Sequence, residues 1–158
     1  MKALVIYDSV FGNTEKVAQA VGTALEDRAE VSVLKVGDVS GKFWTGLDAL
    51  IVGSPTRAFS ATPAAKQLLS GIPRQALRGV RVAAFDTRVE VEKAPAILKV
   101  LVKLFGYAAE PLAAKLRKKG GQEALPPAGF IVGGTEGPLQ EGELERAAEW
   151  AKAILEQR

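Results

Sequence analysis

Hydroxyl, amide and glycine residues cluster between residues 8 and 14, in a pattern that favours anion binding. Residues 3–7 before them are almost uniformly apolar, and apolar side chains recur at every fourth position over residues 17–25 after them. The cluster therefore joins a buried strand to a helix. Backbone N–H groups are free at a helix N-terminus, and the helix dipole favours negative charge there. Because Ser9 and Thr14 add two hydroxyl donors, this segment predicts a phosphate site.

The spacing Ser9-x-x-Gly12-x-Thr14 indicates one phosphate monoester rather than a larger phosphate group. It lacks both the glycine pattern of dinucleotide sites and the lysine of triphosphate loops. The same residue types are also common in ordinary turns and helix caps, and Asn13 or Thr14 could cap this helix. Taken alone, the segment leaves a phosphate site and a plain cap both open.

Two other loops have similar chemistry, and each follows a predicted buried strand. Residues 54–59 follow a strand over residues 47–52, and residues 86–88 follow a strand over residues 80–85. In a parallel sheet the carboxyl ends of the strands meet at one edge, and ligands bind there. We therefore expect the three loops to form one site.

The elements that must position these loops alternate between strand and helix along the whole chain. This alternation predicts an α/β fold with a parallel sheet, right-handed crossovers and helices on both faces, in a single domain over residues 1–158. Thr62-Pro63 predicts a helix start, because threonine caps well and proline loses no hydrogen bond at the first helical position. Pro126-Pro127 interrupts the fifth strand, since proline cannot sit inside a central ladder.

Composition excludes several classes of site. The 158 residues include no cysteine and no histidine, which excludes thiol catalysis and a Cys/His metal site, so no metal is expected. The net charge of +3 comes from residues 99–119, where the pattern is that of a solvated helix end, so we expect no nucleic-acid partner. Loops at the predicted site are richer in acids, which predicts a mixed to mildly acidic docking rim.

The helix predicted over residues 94–105 is unusual, because only Lys99 and Lys103 separate its large apolar residues. Such a helix must bury most of its circumference in the core, a partner, a ligand or a lipid surface. We expect either a homodimer or hydrophobic docking through this helix. No apolar run approaches the ~20 residues of a membrane span, and no leader is evident, so a cytoplasmic protein without a span is expected.

The segment Tyr7-Asp-Ser9-Val-Phe11-Gly12-Asn13-Thr14 resembles the FMN phosphate loop of flavodoxins and of the flavodoxin modules in flavodiiron proteins. Residues 53–56, 85–88 and 135–139 match further parts of that pattern in order, so the resemblance covers essentially the whole chain. It implies a flavodoxin-like three-layer sandwich, a five-stranded parallel sheet in the order 2-1-3-4-5, and FMN as the cofactor.

The resemblance also implies which residues bind FMN. The loop that binds the FMN phosphate would consist of Ser9, Val10, Phe11, Gly12, Asn13 and Thr14. The ribityl chain and the isoalloxazine ring would contact Ser54, Pro55, Thr56, Arg57 and Phe59. The other side of the ring would be closed by Asp86, Thr87 and Arg88. Two positions depart from the pattern. Thr87-Arg88-Val89 stands where many flavodoxins place an aromatic residue against the ring. Arg57-Ala58 stands where a glycine often permits positive φ, a conformation that a Cβ disfavours.

This resemblance implies an FMN-binding electron-transfer protein that works between redox partner proteins, a reductase and an acceptor. An alternative is an FMN-dependent oxidoreductase acting on a quinone or porphyrin-like hydrophobic substrate, with the helix over residues 94–105 as a lid or docking surface. A third is a flavin-free signalling module on the same fold. A phosphoacceptor receiver would need an aspartate after strand three and a lysine after strand five, where Gly53-Ser54 and Gly133-Gly134 stand instead.

Overall fold

A computed structural model of the chain describes residues 1–90 and 94–156. Its helices and strands, in chain order, are β1 (Lys2–Tyr7), α1 (Asn13–Leu25), β2 (Glu30–Lys35), β3 (Ala49–Pro55), α2 (Pro63–Gly71), β4 (Arg81–Val89), α3 (Ala96–Phe105), α4 (Ala109–Lys118), β5 (Gln122–Glu123), β6 (Ala128–Val132) and α5 (Glu143–Glu156). Two short 3-10 turns, Val36–Asp38 and Gly41–Trp44, connect β2 to β3.

The sheet is parallel and has the order β2-β1-β3-β4-β5, with β6 pairing alongside β4. This confirms the predicted flavodoxin-like fold with strand order 2-1-3-4-5. Pro126-Pro127 lies between β5 and β6, so the fifth strand position is filled by two pieces because proline has no N–H to donate. The order reverses between β1 and β3, which is where such sheets open a crevice for a ligand.

Helices cover both faces of the sheet. Helices α1 and α5 pack on one face, and α2 and α4 pack on the other. Consecutive residues of β1 alternate between the two cores, with Leu4 and Ile6 in one and Val5 in the other. A central strand buried on both faces must be apolar throughout, and this is the pattern that predicted β1 from the sequence.

Helix α3 lies outside both cores. None of its residues is buried, and Ile97 and Leu104 are 70% and 71% exposed. This apolar helix is therefore not buried in the domain core, which was one of the options that the sequence left open. Among the described residues, no helix is long and apolar enough to cross a membrane.

Side-chain caps were predicted for helices α1 and α2, and only α2 has one. Thr62 caps α2 as predicted, because its hydroxyl accepts a hydrogen bond from the Ala65 N–H at 3.3 Å. The prediction that Asn13 or Thr14 caps α1 is wrong. Gly12 occupies the cap position with φ of 91° and no side-chain cap bond. Both polar side chains instead bond to other parts of the chain.

Candidate functional site

A cavity of about 400 Å³ opens at the carboxyl edge of the sheet, where the loops after β1, β3 and β4 meet. Its size is typical of small-molecule sites. Eleven of the fourteen residues predicted for the cofactor line it, namely Ser9, Val10, Phe11, Asn13, Thr14, Pro55, Thr56, Arg57, Phe59, Thr87 and Arg88. The structure therefore brings all three predicted loops to one place.

The other three predicted residues do not line the cavity. Gly12 shapes the first turn of α1. Ser54 is fully buried, and its hydroxyl accepts a hydrogen bond from the Thr62 N–H at 3.0 Å, which fixes the start of α2. Asp86 is fully buried behind the cavity wall. These residues hold the loops that carry the site.

The loop before α1 presents unsatisfied backbone donors. The Ser9 hydroxyl oxygen accepts hydrogen bonds from the N–H groups of Gly12 at 3.1 Å and Glu15 at 3.4 Å. Within residues 1–90 and 94–156, the N–H groups of Asn13 and Thr14 have no acceptor, although both residues are buried. A buried N–H without a partner is costly. An anion at this helix N-terminus would satisfy both donors.

Two side-chain contacts fix this loop against the rest of the site. The hydroxyl oxygens of Thr14 and Thr87 lie 2.8 Å apart in a buried hydrogen bond, which joins α1 to β4. The Asn13 amide donates to the Glu136 carbonyl oxygen at 3.0 Å. The loop before α5, which the sequence also matched, is thus tied to the loop before α1.

A buried ion pair supports the opposite wall. The Arg88 guanidinium donates to both carboxylate oxygens of Asp86, at 2.6 and 2.8 Å, and the Ala109 N–H donates to Asp86 at 2.9 Å. Burial raises the pKa of Asp86, while these donors and the Thr56 hydroxyl oppose the rise. The cluster joins the ends of β3 and β4 to the start of α4 and balances the arginine charge.

Tyr107 supplies an aromatic wall that the sequence argument missed. The Arg88 guanidinium carbon lies 3.6 Å from the centroid of the Tyr107 ring, and this ring lines the cavity. A Cβ on Gly129 would collide with the Arg88 side chain, so this glycine makes room for the stack. Burial raises the pKa of the Tyr107 phenol above its ordinary value.

Other cavity residues also escaped prediction, namely Ala58, Val89, Leu98, Val102, Val132 and Thr135. Leu98 and Val102 belong to α3, so one side of this helix faces the cavity. The four-residue spacing of these two side chains was visible in the sequence. Nothing in the sequence indicated which side of so apolar a helix faces inward.

The loop after β3 forms a tight hairpin at the cavity mouth. Arg57 and Ser60 exchange two backbone hydrogen bonds of 2.8 and 3.0 Å across Ala58 and Phe59. Both central residues have positive φ, of 46° and 66°. Ala58 therefore adopts the conformation that its Cβ disfavours, and the two cross-turn bonds stabilise it there.

This hairpin brings aromatic side chains together above the cavity. The Phe59 and Phe105 ring centroids lie 5.9 Å apart, which joins the hairpin to α3. The Arg57 guanidinium carbon lies 5.7 Å from the centroid of the Phe11 ring. One side of the mouth is therefore apolar and partly aromatic, and the other side has the free N–H groups of Asn13 and Thr14.

A family model described as a flavodoxin domain matches residues 4–125. A flavodoxin from the domain Archaea is 22% identical with a TM-score of 0.72, covering 99% of this chain and 97% of that chain. Oxidised Flavodoxin 1 from Bacillus cereus is 17% identical with a TM-score of 0.79, covering 100% of this chain and 99% of that chain. Rubredoxin oxygen:oxidoreductase from Desulfovibrio gigas is 20% identical with a TM-score of 0.72, and 98% of this chain aligns with 35% of that one. A search of curated proteins gave no match.

Proposed function

The chain belongs to the flavodoxin domain family, and from this membership we propose that it shuttles electrons between a reductase and an acceptor protein. FMN binding and electron transfer are the general properties of this family, and FMN is the cofactor of the chain. The partner proteins and the residues that hold FMN are the parts that we propose.

One observation carries the assignment of the FMN phosphate to the loop before α1. Asn13 and Thr14 are buried residues at a helix N-terminus that line the cavity, and their N–H groups have no acceptor in the described part of the chain. A phosphate monoester supplies the oxygen atoms and the negative charge that these donors require. The Ser9 hydroxyl orients the same turn through its bonds to Gly12 and Glu15.

The remaining cavity residues suit the rest of FMN. Phe59 and Tyr107 line the cavity with aromatic surface, which an aromatic ring would contact. The Arg88 charge at this wall is balanced by Asp86 and held in place by Tyr107. Bound FMN supplies the one- and two-electron redox chemistry of the protein. The chain's own residues bind and orient the cofactor, and none of the comparisons favours turnover of a hydrophobic substrate.

A pair of glycine substitutions tests the phosphate loop. Gly12 has positive φ, Gly37 does not, and a Cβ at either position would meet no other atom within 4 Å. Gly12→Ala therefore strains the loop without a clash, while Gly37→Ala is the matched control. In Gly12→Ala the free loop can relax out of the left-handed region, and FMN binding must then restore it. We therefore expect this substitution to weaken FMN binding about 5- to 30-fold, the equivalent of about 1–2 kcal/mol of left-handed strain, as measured by quenching of flavin fluorescence.

Riboflavin, which lacks the phosphate, provides the second comparison. Its affinity is expected to be lower than that of FMN and to change little in Gly12→Ala. Equal losses for both flavins would place the phosphate elsewhere. A wild-type protein that fails to bind FMN would reject the proposed function as a whole.

A further inference from the structure

Exposed apolar side chains are concentrated around one part of this molecule. Among the described residues, nine large apolar side chains are exposed, and seven of them lie at the cavity mouth or on α3. Those at the mouth are Val10, Phe11 and Val89, and those on α3 are Ile97, Val100, Leu104 and Phe105. The other two, Met1 and Leu144, lie elsewhere. So uneven a distribution marks a contact surface.

Helix α3 divides its apolar residues between two directions. Leu98 and Val102 face the cavity, and Phe105 stacks near Phe59. The outer stripe, which consists of Ile97, Val100 and Leu104, recurs at steps of three and four, is exposed, and does not line the cavity. The contacts of Leu98, Val102 and Phe105 orient the helix, so the outer stripe stays exposed to solvent.

Lysines border this stripe, and acids are absent from it. Lys99 and Lys103 are exposed and lie on one side of α3, while residues 94–109 contain no aspartate or glutamate. Within residues 1–90 and 94–156, neither lysine has an ion-pair partner. The helix thus adds only positive charge to a rim that the sequence predicted to be mildly acidic.

We propose that the outer stripe of α3 binds an anionic lipid surface, with the helix lying in the interfacial plane and the cavity mouth beside it. Interfacial helices combine Leu and Phe on one face with Lys or Arg beside them. Protein interfaces instead favour Tyr, Trp, Phe, Met and Arg and are depleted in Lys, while Leu and Val are scarce at their hot spots. The outer stripe contains none of the favoured types and is bordered by lysines, so it fits lipid better than a protein partner.

Vesicle co-sedimentation of the FMN-saturated protein tests this proposal. We expect binding to phosphatidylcholine vesicles that contain phosphatidylglycerol and little binding to pure phosphatidylcholine. Leu104→Asp should abolish binding, whereas Leu144→Asp, at an exposed apolar position on α5, should retain it. Lys99→Glu combined with Lys103→Glu should weaken binding at least tenfold, given the usual effect of about fivefold for each lysine near an anionic membrane. Lys66→Glu combined with Lys118→Glu, at exposed positions of α2 and α4, is the matched control, because it changes the net charge by the same amount.

None of these substituted residues lines the cavity, so FMN affinity should be unchanged in every variant and serves to verify the fold. Failure of lipid binding would leave the FMN assignment intact, which separates the two proposals. Equal binding to both kinds of vesicle, or to neither, would overturn the lipid proposal. So would a wild-type dimer in solution that Leu104→Asp converts to a monomer, because a second copy of the chain would then cover the stripe.

Discussion

At the scale of single residues, Ala58 holds a backbone conformation that side chains with a Cβ seldom adopt. Left-handed φ costs a non-glycine residue about 1 kcal/mol or more. We expect Ala58→Gly to raise the free energy of unfolding by about 0.5–1 kcal/mol, because relief of strain exceeds the added chain entropy. Urea unfolding followed by circular dichroism measures this change.

The matched control for that substitution is Ala64→Gly, at an exposed position of α2. There the same change should lower the free energy of unfolding by about 1 kcal/mol, since glycine is a poor helix former. Opposite signs for the two variants are the expected result. A loss of stability at both positions would mean that the hairpin carries no strain at Ala58.

The sequence predicted which loops meet at the cavity, but it did not predict which side chains of those loops line the cavity and which are buried behind it. Asp86 and Ser54 follow predicted strands and were assigned to the cofactor, yet both are fully buried behind the cavity. Alternation along a strand sends successive side chains to opposite faces, and a loop pattern alone does not fix which face a terminal residue takes. Tyr107 escaped prediction because the whole of α3 separates it from β4.

At the scale of elements, Glu143 joins α5 to β6. Its carboxylate accepts hydrogen bonds from Arg146 and from the Ile131 N–H at 2.6 Å. The Arg146 bonds, supported by Ile131, hold the pKa of Glu143 below its ordinary value. Because the folded pKa is below the unfolded one, the stabilisation is complete above the unfolded pKa and is lost as pH falls through the folded pKa.

Glu143→Gln is therefore expected to lower the free energy of unfolding at neutral pH by about 1–3 kcal/mol. Below the folded pKa the variant and the wild type should converge. Urea titrations at neutral and acidic pH provide the measurement. Glu145→Gln, at an exposed position in the same first turn, should change little at either pH. A constant gap between Glu143→Gln and the wild type at all pH values would contradict the linkage.

The sequence predicted helices and strands correctly where the local preference of the residues and the packing of the folded chain favour the same structure. The buried strands, the start of α2 at Thr62-Pro63 and the break at Pro126-Pro127 follow from residue types that allow few alternatives. It failed at the α1 cap, where Asn13 and Thr14 bond to distant residues instead. Those partners lie 123 and 73 positions away in the chain, beyond the range of local capping rules.

At the scale of the whole molecule, a ligand that joins three loops should stabilise the folded chain. At a concentration of about 100 times Kd, binding adds about 2.7 kcal/mol. For a chain of this length that corresponds to a rise in Tm of about 5–10 °C. Thermal unfolding with and without FMN measures the effect. Riboflavin at the same concentration should give a smaller shift, and an equal shift would show that the phosphate contributes nothing.

Helix α3 also bears on how this protein can change over evolutionary time. Neither core contains a residue from residues 94–107, so the free energy of folding places little constraint on the outward side chains of this segment. Selection on mutations at these outward positions depends on what the helix contacts. Selection on mutations in the sheet depends on core packing. The outward positions of this segment can therefore diverge in sequence, and the surface that they present can change, without loss of the fold.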